Sequence, residues 1–163
     1  LISNIGENMR LGKFARHTKS SASEVIGHYV HANGKIGALV FLETGDAAKT
    51  KDEKIVALAK ELAMQVAASN PLSLDANDLD PAAIEREREI YRQKALDEGK
   101  PANIVDKIAE GAVKKFEKEV CLLEQNYIRD DKKTITQLVA ETAKAIGCPV
   151  KVSGFERIQL ANE

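Results

Sequence analysis

Two apolar-rich runs flank Asn33-Gly34 in the stretch HYVHANGKIGALVFLE, residues 28–43. That dipeptide tolerates positive φ at both central positions of a type I′ turn, so the pattern predicts a two-residue β-hairpin. Pairing Ala32 with Lys35 sets His31 opposite Ile36, Tyr29 opposite Ala38 and His28 opposite Leu39. Side chains alternate along a strand, so Tyr29 and His31 share one face with Ile36, Ala38 and Val40, while His28 shares the other with Val30, Leu39 and Phe41. The two histidines diverge, and no shared metal site is expected.

From Asp52 the period changes to that of a helix. Ile55, Leu58, Ala59, Leu62, Ala63, Val66 and Ala67 recur at i, i+3, i+4 and i+7, one apolar stripe suited to covering a sheet. Asn70-Pro71 ends it, because the residue before proline is pushed out of the α region. LSLDANDLD, residues 72–80, reads as a linker whose Asp80-Pro81 pair supplies an N-cap and a first-turn proline.

Residues 81–119 differ from what precedes them. The first helix there has few apolar anchors, chiefly Ile84, Ile90, Tyr91, Ala95 and Leu96, among charges that include Glu85/Arg88 and Glu89/Arg92 at i,i+3. Gly99-Lys100-Pro101 breaks it, and a second helix sets Ile104, Ile108, Ala112 and Phe116 along one side. Two such helices predict an antiparallel hairpin, an arm projecting from the body. Periodicity leaves open whether the arm meets a partner or docks on its own domain. After it, VCLLEQNYI reads as a strand, and Thr134 with Gln137 forms a capping box opening a helix with Ile135, Leu138, Val139 and Ile146 inward. Gly147 closes that helix, and VKVSGFERIQL reads as a final strand with a bulge at Gly154. The expected fold is α+β, with small antiparallel sheets, covering helices and an inserted helical hairpin. Its expected divisions are an N-terminal core part at 1–73, the arm at 74–120, and a C-terminal core part at 121–163.

Length and charge narrow the partners. At 163 residues the chain can bury roughly 70% of its unfolded-state surface. With 24 Lys and Arg against 25 Asp and Glu, no Trp, three Tyr and four Phe, neither a basic nucleic-acid surface nor a stacking platform is expected. No apolar run nears the roughly 20 residues that span a bilayer, so a soluble protein without a membrane partner is expected. Cys121 and Cys148 lack metal or redox spacing and are expected reduced, in a cytosol or an organelle interior. No Gly-rich phosphate loop, metal spacing, nucleophile motif or paired catalytic carboxylates stands out, so neither covalent catalysis nor a bound cofactor is expected.

Five stretches then read together: IGEN at 5–8, YVHANGKIGALV at 29–40, AMQVAASNP at 63–71, EGKPANIVDKIAEGAVKKF at 98–116 and KTITQLV at 133–139. In their order and spacing the chain resembles the C-terminal part of the elongation factor Ts family, the guanine-nucleotide exchange factors for elongation factor Tu. The resemblance implies a core of two subdomains with small antiparallel sheets. It also implies a coiled-coil arm that mediates dimerisation in many members, which here would use Ile84, Tyr91, Ile104, Ile108 and Phe116. It implies that Ile5, Gly6 and His31 face elongation factor Tu, in both its GDP-bound and nucleotide-free forms, while His28 has no matched role. The family's N-terminal helical domain, its Thr-Asp-Phe-Val motif and the C-terminal helix of longer members have no match between Leu1 and Glu163. A chain lacking them is expected to bind factor Tu weakly and exchange nucleotide poorly. The alternative is an interaction or assembly module that uses the arm without exchange activity.

Overall fold

β1 (Glu24–Val30) and β2 (Ile36–Thr44) pair antiparallel with Tyr29 opposite Ala38 and His28 opposite Leu39, the register that centring the turn on Asn33-Gly34 predicts. They belong to a computed structural model that describes residues 2–6, 12–32 and 34–160. The connecting turn differs from the expected type I′ geometry. The Gly34 N–H donates to the His31 carbonyl at 2.8 Å and Gly34 has φ +68°, so the glycine ends the turn instead of sitting at its centre. A left-handed glycine in that place is the usual device of hairpins with loops longer than two residues. Asn33 lies outside the described residues, as do Glu7 and Asn8 of the IGEN stretch.

β5 (Val150–Gln159) adds to the other edge of β2, giving the order β1-β2-β5. Phe41 lies opposite Gly154 and Leu42 opposite Val152, so Ser153 is the extra residue of the expected bulge. One face of this sheet carries Val25, Ala38, Val40, Leu42 and Val152 into the core. α2 (Glu53–Ser69) lies across it, capped by Asp52, whose carboxylate accepts from the Lys54 N–H at 2.9 Å. The whole predicted stripe from Ile55 to Ala67 is buried. Each large side chain in it contributes about 1.5–3 kcal/mol of transfer free energy. The helix ends at Asn70, which turns left-handed at φ 49°, a conformation asparagine tolerates. β1 and α2 approach so closely at Gly27 that a Cβ there would lie 2.1 Å from the Ala59 carbonyl oxygen.

α5 (Ile135–Ile146) opens on the predicted capping box between Thr134 and Gln137 and closes at Gly147, φ +74°. Ile135, Val139 and Ile146 join the main core, with Leu138 packed against it. The predicted strand VCLLEQNYI is instead a 3-10 turn at Leu122–Glu124 followed by the two-residue β3 (Asn126–Tyr127), which pairs with β4 (Asp130–Thr134). Leu122 and Gln125 are drawn inward, and tertiary burial overrides strand propensity there.

α3 (Pro81–Asp97) and α4 (Ala102–Val120) pack on each other as an antiparallel pair, and neither contributes to the main hydrophobic cluster. Asp80 caps α3 as predicted. The apolar seam runs one position away from the expected row: Val105, Ala109 and Val113 of α4 and Ala95 of α3 are buried. Ile104 and Ile108 stand 38% and 37% exposed, and Ile90 and Leu96 also face outward. The smaller residues allow closer helix contact, which turns the isoleucines toward solvent. Arg92 reaches across to Asp106 at 2.8 Å, while Arg88 keeps its predicted partner Glu85.

The flanks 1–73 and 121–163, expected as separate parts of the core, contribute strands to one sheet and side chains to one cluster among the described residues. Residues 72–80 are more than a linker. Leu72 N–H donates to Val120 O at 2.8 Å, Leu122 N–H to Ser73 O at 2.9 Å and Leu123 N–H to Leu74 O at 3.0 Å, a short parallel seam that seats the root of the helical pair.

At the opposite end of β1 and β2, the hydroxyls of Ser23 and Ser21 each donate to Glu43 Oε2 at 2.9 Å, and Ser20 adds a longer bond. These donors, Ser23 foremost, hold the Glu43 carboxyl below its ordinary value of 4.5. A depressed folded-state value means stability that is present above the unfolded value and is lost as pH falls through the folded one. Glu43→Gln is therefore expected to flatten the acid side of the profile of thermal midpoint against pH, leaving neutral pH less stable than wild type. Overlaying acid-side profiles would count against this bonding.

Candidate functional site

The turn end of the sheet and the last turns of α2 enclose a groove of about 480 Å³. Its floor is apolar, made by Ile36, Met64, Ala67, Ala68 and Ile128, and its rim carries Tyr29, His31, Arg129, Arg157 and Gln159. His31 is exposed, with Nδ1 3.3 Å from the Tyr29 hydroxyl, and the Tyr29 ring reaches down to the core. The period of two along β1 sets both residues on the inner face, and the turn lets the imidazole clear the sheet.

Arg157 comes from β5, opposite Ala38. Its Nε donates to the carbonyl of Ala67 at 3.2 Å, meeting one of the unpaired acceptors of the last turn of α2, and its Nη1 donates to Gln159 at 2.9 Å. Arg129 pairs through Nε with Glu61 at 3.1 Å. Glu61 also accepts from the Tyr127 hydroxyl at 2.6 Å, and burial, together with that carboxylate, pushes the Tyr127 phenol up to about 12.

The wall bearing Ile128 and Arg129 is held by a buried polar clasp. Gln65 donates through Nε2 to Gln125 Oε1 and to the Asn126 carbonyl, both at 3.1 Å, and its Oε1 accepts from the Ile128 N–H at 2.9 Å. Ser69 donates to the same Gln125 oxygen at 2.6 Å, and Gln125 Nε2 donates to the Glu119 carbonyl at 2.8 Å. The clasp thus joins α2, the start of β3 and the last turn of α4. Among the described residues every buried side-chain nitrogen and oxygen has a partner.

Of the residues expected to meet a partner, His31 stands on the groove rim. Ile5, 53% exposed, ends the short α1 (Ile2–Ile5), and Gly6 follows it exposed at φ +74°. Among the described residues no hydrogen bond or ring contact ties this pair to the His31 end. On the helical pair, Ile84, Tyr91 and Phe116 are half-buried, and Ile104 and Ile108 are exposed. His28 lies exposed on the outer face of the sheet. That face also carries His17, stacked on Phe41 with ring centroids 3.6 Å apart and bonded to the buried Glu24 at 2.7 Å. Sequence reasoning missed Met64, Ile128, Arg129 and Arg157. The one legible signal was Arg157, an arginine at an inward position of an alternating strand.

An apolar groove rimmed by an imidazole and two guanidiniums, on an α+β body from which a helical pair stands apart, has the anatomy of a protein-interaction module. The chain belongs to the elongation factor Ts family: residues 1–162 match the family model described as Elongation factor TS. It is similar over its whole length to the elongation factor Ts of Desulfovibrio desulfuricans, at 66% identity, and to that of Nitratidesulfovibrio vulgaris, at 52%. The elongation factor Ts of Lawsonia intracellularis is 51% identical over 99% of the chain. The chain spans 57%, 56% and 55% of these three relatives, little more than half their length.

Proposed function

We propose that this chain is the docking part of a guanine-nucleotide exchange factor for elongation factor Tu in a bacterial cytoplasm, with Ile5, Gly6 and His31 facing the GTPase. The observation that carries this reading is His31, exposed at the turn beside a preformed groove in a chain that matches the family from end to end. Exchange makes and breaks no covalent bond. It is a coupling free energy: a factor that binds the nucleotide-depleted GTPase more tightly than the GDP-bound form weakens GDP binding, and GDP weakens factor binding equally.

Titration of the chain onto purified elongation factor Tu, with and without GDP, tests the coupling. The expected result is an affinity lowered by GDP, and a His31→Ala variant weaker by about tenfold, the loss of about 1.4 kcal/mol typical of an interface anchor. Binding indifferent to GDP would favour the assembly-module reading. Release of a fluorescent GDP analogue is expected to be slower than with a factor of the relatives' full length.

A second reading concerns the helical pair, which we assign to self-association. Ile104 and Ile108 support it, because they form an outward apolar row that the α3–α4 seam leaves uncovered. Ile108→Asp is expected to reduce the mass seen by light scattering to that of one chain, and an unchanged mass would refute an arm-mediated dimer.

A further inference from the structure

We propose that the groove between β1 and α2 receives a carboxylate-bearing, otherwise apolar segment of the GTPase partner, with Arg157 as its anchor and Arg129 beside it. This rests on the reading that the partner docks at the His31 end, and it names what the partner must present there.

The charge of the groove carries the argument. Two arginines and a histidine stand on its rim, and among the described residues no carboxylate lines it. The two arginines are not equivalent. Arg129 is already paired with Glu61, whereas both partners of Arg157 are neutral, the Ala67 carbonyl and the Gln159 amide. Its sequence neighbour Glu156 lies opposite Leu39 and lines the separate depression on the other face of the sheet, next to His28. Among the described residues Arg157 therefore brings a positive charge with no carboxylate partner to the mouth of an apolar groove. A guanidinium suits a carboxylate because its planar fork can donate two parallel hydrogen bonds.

Order and floor chemistry agree with such an occupant. The two existing bonds hold the guanidinium in place before anything binds, so little side-chain freedom is lost on docking. Met64 and Ile128, the latter 48% exposed, offer apolar surface below it. Methionine adapts readily to the shape of an incoming side chain. An acidic residue with an aliphatic or aromatic neighbour would fill both halves of the site.

The test uses the full chain and purified nucleotide-free elongation factor Tu. Arg157→Glu, checked for an unchanged fold by circular dichroism and thermal melting, is expected to bind at least about tenfold more weakly and to lose much of the wild type's sensitivity to salt. Arg157→Lys, which retains the charge but not the fork, is expected to fall between the two. Arg88→Glu makes the same charge change on α3 and is expected to bind as wild type. A scan of partner Asp and Glu residues to Lys is expected to find one that restores binding to Arg157→Glu alone. If His31→Ala weakens binding and Arg157→Glu does not, the docking reading stands and this proposal fails. If neither weakens it, both fail. If Arg157→Glu abolishes binding of a single-stranded RNA oligonucleotide and spares the GTPase, the groove serves phosphates and the proposal is overturned.

Discussion

Gly27→Ala is expected to lower stability by about 3 kcal/mol, seen as a lower urea midpoint at unchanged slope. The added methyl would sit 2.1 Å from the Ala59 carbonyl oxygen and 2.4 Å from its carbon. Neither atom belongs to a side chain that can rotate away. Relief requires α2 to lift from β1, and α2 covers the sheet with its entire buried stripe. The same displacement reshapes the groove, because Met64, Ala67 and Ala68 of its floor move with α2 while Tyr29 and His31 of its rim stay with β1. Partner binding measured well below the new midpoint should therefore weaken as well. An unchanged midpoint would mean that the strand and the helix do not approach this closely.

Gln65→Leu is expected to cost about 3 kcal/mol while leaving no cavity, since leucine nearly fills the space of the amide. The loss comes from what remains behind. The Ile128 N–H and the Asn126 carbonyl lose their bonds to Gln65, and Gln125 Oε1 keeps only Ser69. Gln65 is 1% exposed and Gln125 5%, so the apolar replacement leaves the inner side of the clasp without donors or acceptors. Amide hydrogen exchange at Ile128 should accelerate more than at the buried strands of the main sheet. Equal protection at Ile128 in variant and wild type would show that the clasp does not hold this wall.

The main sheet and its covering helix were legible because their signals are local. The Asn33-Gly34 turn set the β1–β2 register, the stripe from Ile55 to Ala67 set the inner face of α2, and Thr134 with Gln137 marked the start of α5. The helical pair was legible as a pair but not in its seam. Isoleucines at 104 and 108 are the more hydrophobic choice, yet Val105, Ala109 and Val113 lie inside, because interhelical distance is decided by both helices together. The VCLLEQNYI stretch misled for a related reason: its apolar run serves a turn that is buried from several sides, and periodicity cannot separate that from a strand.

By itself the sequence determined the α+β class, the β1–β2 hairpin, the long helices α2, α3, α4 and α5 with the caps at Asp80, Thr134 and Gly147, and the exposed position of His31 beside its turn, all of which depend on residues a few places apart in the chain. Tertiary structure alone decided the groove. Met64, Ile128, Arg129 and Arg157 are spread over more than ninety positions, and they meet because α2, the β3–β4 turn and the far end of β5 converge on the turn end of the sheet. Only packing can bring Arg157 to the Ala67 carbonyl, since that bond links residues 90 apart with no local pattern to announce it.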